Sequence, residues 1–156
     1  MDNRMRNHRL LCSVLLAANL LFIWGNSALP GETSGEISNG LLLWLSQVLG
    51  DAWVIGGFLL RKLAHFSEFA MLGLLLTWMA LLLQQKSFHR FTLPLLGGIL
   101  TACVDETIQV FTPDRGPSLI DVWIDTAGVT AGIILLLLGN AFLKKKKQRK
   151  SGGILK

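Results

Sequence analysis

Residues 63–83 read LAHFSEFAMLGLLLTWMALLL, and this stretch decides the fold. A helix rises 1.5 Å per residue, so ~20 mostly apolar residues reach across the ~30 Å hydrocarbon core of a bilayer. The segment is therefore read as a membrane span, although it opens with His65 and Glu68. The whole chain supports that reading. Of its 156 residues 51% are hydrophobic and only 16% charged, with mean hydropathy +0.50. Soluble domains carry roughly 25% charge to keep their surface wet. A water-soluble enzyme is excluded. The net charge is +5, but seven of the fifteen Lys and Arg residues lie at positions 144–156. The basic excess is a tail and not a patch on a fold, so nucleic acid is not an expected partner.

Three further runs follow the same logic. Leu10 to Trp24 is apolar behind Arg4, Arg6 and Arg9, which suits a signal peptide or a first span. Asn26-Ser27-Ala28 is a poor cleavage site, so an uncleaved anchor is expected. Ser27 to Gly40 is polar and Gly-rich, with Glu32 and Glu36, and reads as a loop. Residues 41–60 are long enough to span, but Gln47, Gly50, Asp51 and Gly56-Gly57 interrupt them. Positions 41–49 therefore read as a short amphipathic surface helix that turns at Gly50-Asp51. The expected fold is an all-α integral membrane protein: a four-transmembrane-helix bundle, with that short outer helix before the second span. The spans are placed at about 10–26, 60–83, 91–111 and 118–142. They are flanked by a basic N-terminus (1–9) and a basic tail (143–156).

Lys and Arg favour the cytoplasmic side of short loops. Arg4, Arg6, Arg9, Lys86, Arg90 and the seven tail residues fall on one side, against Arg61, Lys62 and Arg115 on the other. Both termini are therefore expected in the cytoplasm. The lysine run then reads as a stop-transfer anchor with an attraction for anionic membrane lipids. Cys12 and Cys103 lie in different spans and read as two buried free thiols.

This topology gathers the costly residues at one depth. Arg61, Lys62, His65 and Glu68 open the second span; Asp105, Glu106 and Gln109 close the third. Arg115 lies in the following loop, and Asp121 and Asp125 begin the fourth span. At 100° per residue Arg61, His65 and Glu68 share an arc, Asp105 and Gln109 share a face, and so do Asp121 and Asp125. Glu106 is rotated ~100° from Asp105. A carboxylate in a bilayer helix costs several kcal/mol unless it is paired or meets water. The acids are thus expected to face inward, with Arg115 folding back over them. Snorkelling to the interface competes for Lys62 and Asp121, and a purely structural ion-pair network competes for the whole cluster.

The residues also carry a resemblance. RKLAHFSEFAMLGLLL (61–76) and DETIQVFTPDRGPSLIDVWIDTAGVTAG (105–132) resemble the two motifs of the VanZ-like family. The second has the form DExxQ, P-x-R, then D-x-x-x-[DN]-x-x-G. As an arrangement of spans the resemblance covers about residues 10–142. It implies a small bacterial envelope membrane protein, whose namesake is associated with low-level resistance to the lipoglycopeptide teicoplanin. It assigns no chemical role to Lys62, His65, Glu68, Asp105, Glu106, Gln109, Arg115, Asp121 or Asp125, which match its motif positions.

Two chemistries fit the cluster. In phosphate chemistry on an envelope lipid, Arg61, Lys62 and Arg115 clamp the phosphate. His65 is then nucleophile or general acid, Glu68 or Asp105 orients or deprotonates, and Glu106 is a further catalytic candidate. In a binding module the same groups, with Gln109, Asp121 and Asp125, hold a lipid headgroup, an envelope precursor or a glycopeptide without turnover. His65-x-x-Glu68 with carboxylates from other helices resembles a bundle metal centre. Three neighbouring cations argue against a divalent ion, so no metal and no cofactor is expected. A transport path is not expected either, because the inner halves of the spans hold few polar groups. Gly128 and Gly132 form a small-xxx-small face, read as close packing within the bundle, with a homodimer contact as the alternative.

Overall fold

A backbone in lipid must satisfy its own hydrogen bonds, and a lone apolar segment does so as a helix. The computed structural model describes residues 3–49 and 56–152. They form five helices: α1 (Asn3–Ser27), α2 (Gly31–Leu49), α3 (Gly57–Leu82), α4 (His89–Val110) and α5 (Leu119–Gly152). No strand occurs among the described residues. Helices α1, α3, α4 and α5 are each long and apolar enough to cross a membrane. Their outer faces expose Leu21, Leu96, Leu100, Leu135 and Phe142, as helices in contact with lipid do. The protein is a multi-pass helical membrane bundle.

Two sequence expectations change. Residues 31–40 are not a loop, because α2 begins at Gly31 and continues unbroken to Leu49. The reason is local: Ser34 donates its N–H to the Pro30 carbonyl (3.0 Å), and Ser38 Oγ returns to the Ser34 carbonyl (2.8 Å). Glu32 also lies in the first turn, where a negative charge favours a helix start. The turn expected at Gly50-Asp51 lies outside the described residues. At the other end of the chain, α5 continues beyond residue 142 through the lysine run. Cys12 and Cys103 are free, as expected. Cys12 is buried, with Sγ 3.5 Å from the Leu75 carbonyl, but Cys103 is exposed.

Helix α3 is the hub and packs against the other four. Contacts of Arg9 with Leu82, Cys12 with Leu75 and Asn26 with Glu68 make α1 antiparallel to it. Helix α5 runs parallel to α3, with Gly128 against Phe66 and Gly132 against Ala70. A Cβ on Gly132 would overlap the Ala70 carbonyl oxygen, so the backbones touch only because that position is glycine. The face of Gly128 and Gly132 is thus occupied within the chain. Phe69, Leu72, Ile23, Ala102, Val129 and Ile133 form the core beneath this contact. The arrangement leaves the start of α1 and the end of α5 at one end of the bundle. The ends of α1 and α4 and the starts of α3 and α5 meet at the other.

Candidate functional site

That second end carries the polar cluster, and each member is held by a neighbouring element. Lys62 on α3 forms an ion pair with Asp121 in the first turn of α5. Glu68 Oε1, on the same helix, accepts a hydrogen bond from Asn26 Nδ2 on α1 (2.9 Å). On α4, Gln109 Nε2 donates to Asp105 Oδ2 (3.1 Å), one helical turn away as the i, i+4 spacing predicts. The same nitrogen lies 3.4 Å from Ser27 Oγ at the end of α1.

Glu106 points elsewhere, consistent with its 100° offset. Its Oε2 accepts the backbone N–H of Ser118 (2.6 Å) at the entrance to α5. Ser118 Oγ in turn accepts from the Ile120 N–H (3.2 Å). Glu106 thus places a carboxylate at a helix N-terminus, where unpaired N–H groups and the helix dipole favour it. This gives it a positioning task that its motif position does not advertise.

Arg115 reaches across the chain. Its Nε and Nη2 donate to the carbonyls of Leu29 (3.2 Å) and Asn26 (3.0 Å), which ties the α4–α5 turn to the end of α1. The turn is secured a second time by Gly31, whose N–H donates to the Pro113 carbonyl (3.0 Å) and whose Cα faces Asp114. Asp114 itself takes the left-handed conformation (φ 56°), which Asp tolerates better than most residues. Burial lowers the Arg115 pKa below the ordinary guanidinium value, and the like charge of Arg61 lowers it further. An arginine remains charged through such a shift.

Two buried aspartates lie beneath these contacts. Asp105 is fully buried and Asp125 nearly so. Asp105 Oδ1 and both carboxylate oxygens of Asp125 have no hydrogen-bond partner among the described residues. His65 stands beside them: His65, Asp105 and Asp125 bring one ligand atom each within 4.8 Å of one another. These are the residues of the cluster that could hold a metal ion. Asp121 and Asp125, assigned to one face by spacing, therefore have different surroundings. One is paired with Lys62 and the other is sealed in.

Two spaces open above. A cavity of about 170 Å³ is lined by Arg61, Lys62, His65, Gln109, Arg115 and Asp121, among others. Next to it runs a groove of about 350 Å³ between α1, α2 and α3, with Phe22, Leu29, Ile37, Leu41 and Leu60 on its walls. Arg61, His65 and Arg115 line both, so the charged cavity and the apolar groove share a border.

The family model described as VanZ/LLP1 matches residues 9–140. The chain belongs to this VanZ-like family. Comparison with curated proteins and with solved structures finds no match. The match covers most of α1, all of α2, α3 and α4, α5 as far as residue 140, and the whole polar end of this VanZ-like chain. The site also uses Asn26, Ser27 and Ser118, which sequence reasoning missed. Asn26 and Ser27 read only as a poor cleavage site, and Ser118 only as the start of a span. A Ser ahead of an apolar run is a helix-cap signal, so Ser118 was findable; the partnership of Asn26 with Glu68 depends on helix packing and was not.

Proposed function

We propose that this VanZ-like chain binds the anionic headgroup of an acylated envelope molecule, with the headgroup in the charged cavity and the chain in the adjoining groove. The observation that carries the reading is the shared border of the two spaces at Arg61, His65 and Arg115. Two guanidinium groups around one cavity repel each other, and an anion between them relieves that repulsion while accepting paired N–H donors. Lipid is the natural source of a ligand with both halves: an envelope lipid, a lipid-linked precursor, or an acylated glycopeptide such as teicoplanin. The distribution of Lys and Arg supports an orientation in which the cavity end faces outward and both termini are cytoplasmic, in the bacterial cell membrane that the family resemblance implies.

The test compares short-chain phosphatidic acid with diacylglycerol of the same chain length, titrated into the detergent-solubilised protein. Phosphatidic acid is expected to bind, and Arg61→Gln to weaken it roughly 10-fold or more, the scale of one charge-assisted hydrogen bond. Equal binding of the two lipids, or an unchanged affinity in Arg61→Gln, would overturn the reading. A contribution to glycopeptide resistance is checked by teicoplanin susceptibility of cells carrying the wild type or the same variant.

Turnover of the headgroup is a second reading, favoured by the unpartnered oxygens of Glu68, on the groove wall, and of Glu106, on the small cavity that His65 also lines, with Asp105 beside His65. Release of inorganic phosphate or free headgroup from the bound lipid distinguishes it from binding alone.

A further inference from the structure

A carboxylate removed from water and left without hydrogen bonds is among the costliest groups a protein can bury. Here Asp125 is such a group, and it faces Asp105, one of whose oxygens is also without a partner, across a helix junction inside a membrane bundle. Among the described residues no cation forms an ion pair with either of them. Lys62 is paired with Asp121, and Arg115 is committed to the Asn26 and Leu29 carbonyls. Arg61 forms no ion pair among the described residues. Lys62 lines the small cavity there, but its ion pair is with Asp121, so the two buried aspartates are left without a salt-bridge partner.

We infer that His65, Asp105 and Asp125 form a binding site for one divalent transition cation of the zinc or manganese class. Each ligand comes from a different helix (α3, α4 and α5), as in metal centres built within bundles. The free donor atoms are the right ones. Gln109 Nε2 engages Asp105 Oδ2 and leaves Oδ1 available, an arrangement in which an outer amide orients a ligating carboxylate. Asp125 offers both oxygens. One imidazole and two carboxylates are a donor set suited to zinc or manganese, with positions left for water or a ligand oxygen. A cavity of about 10 Å³ lies beside two of the three ligands, lined by Lys62, His65, Glu106, Gln109 and Asp125 among others, and that is room for about one water-sized centre. Ligands around a zinc ion stand roughly 3.5 Å apart, given bonds of ~2.0–2.2 Å. The observed 4.8 Å limit therefore closes by small side-chain rotations. Bound there, the ion would sit beneath the charged cavity.

The inference stands apart from the lipid reading, because metal binding is measured without lipid and lipid binding without metal. Full-length protein in detergent is stripped with chelator and titrated with Zn²⁺, Mn²⁺ or Mg²⁺, with metal content read by mass spectrometry. About one Zn²⁺ or Mn²⁺ per chain is expected, with a rise in melting temperature of several degrees and a weaker response to Mg²⁺. His65→Ala and Asp125→Asn should each lower affinity at least ~10-fold, and Lys86→Met, between α3 and α4 at the opposite end of the bundle, should leave it unchanged. Co²⁺ offers a readout on the wild type that requires no variant: its visible d–d bands should shift and intensify on leaving water for a site of low coordination. Negligible Zn²⁺ and Mn²⁺ content with an unchanged Co²⁺ spectrum would overturn the site. So would binding that survives in folded His65→Ala and Asp125→Asn protein.

Discussion

The two halves of the α3–α5 contact solve opposite problems. Toward the termini the helices touch backbone to backbone: Gly132 meets Ala70, Gly73 meets Val129, and no charge intervenes. Toward the polar end the same two helices hold Lys62, His65, Asp121 and Asp125 between them. The first half depends on what is absent, a Cβ. The second depends on groups whose burial is unfavourable until something compensates them. A half built by close packing should fail on added volume and ignore charge. A half built for a ligand should lose function on loss of charge, at little cost to the fold or none.

The largest effect should come from Gly132→Leu. Its Cβ overlaps the Ala70 carbonyl oxygen, and neither backbone can retreat without opening the core at Phe69, Val129 and Ile133. Overpacking costs about 1–3 kcal/mol and more where backbone must move, as it must here, enough to deplete the folded monomer in a detergent gel-filtration profile. Gly139→Leu is the matched control, because nothing lies within 4 Å of a Cβ there, and it should elute as wild type. Equal behaviour of the two variants would break the distinction between the halves.

Next is Asn26→Ala. The amide is the hydrogen-bond partner of Glu68 Oε1, and the other oxygen, Oε2, already has none. Removing the donor strands a part-buried carboxylate, at a cost of about 1–3 kcal/mol. Glu68→Gln in the Asn26→Ala background should recover much of the loss, since a neutral amide is cheaper to bury. Thermal unfolding in detergent measures both steps, and a full-sized loss that Glu68→Gln fails to relieve would show that Asn26 acts through packing alone.

These contacts also mark how far the sequence could be read. The four spans were legible because long apolar runs need only length to identify them. The gathering of Arg61, Lys62, His65, Glu68, Asp105, Glu106 and Asp125 at one end followed from alternating helix direction. The i, i+4 relation of Asp105 and Gln109 followed from helical geometry and ends in a real hydrogen bond. Pairwise chemistry was not legible. Lys62 takes Asp121 and leaves Asp125, and Arg115 takes carbonyls in place of carboxylates. Those choices depend on helix rotation and on the docking of the 112–117 turn, which a hydropathy pattern does not carry. Helix α2 was misread from residue 31 because Gly35, Ser38 and Gly40 weaken helix propensity, whereas the half-buried Ser38 bonds back to the Ser34 carbonyl within the helix.

Asp125→Asn should change stability less than Asn26→Ala, and in the opposite direction. In metal-free protein it replaces a buried carboxylate with no partner by a neutral amide. A gain of about 1 kcal/mol is expected, the usual sign when a residue kept for function is neutralised. The same variant should lose ligand or metal. Stability up and binding down is the signature of a functional half; a fall in both would mean that Asp125 holds the bundle together.

The smallest effect belongs to the apolar end, at the exit of α3. Leu83 closes the helix, and Gln84 adopts φ 56°. Its N–H reaches the Leu81 carbonyl (3.1 Å), and the Gln85 N–H reaches that of Ala80 (3.1 Å). This is the paired 5→2 and 6→1 pattern that most often carries glycine at the left-handed position. A side chain costs ~1–2 kcal/mol there, while glycine adds about 0.5–1 kcal/mol of chain entropy to the unfolded state. Gln84→Gly should therefore stabilise by roughly 0.5 kcal/mol, the difference of the two, with ligand binding at the far end unchanged. A melting temperature raised slightly with wild-type phosphatidic acid affinity would show the two ends to be energetically separate. An altered affinity would show that the exit of α3 is coupled through the helix to His65 and Glu68.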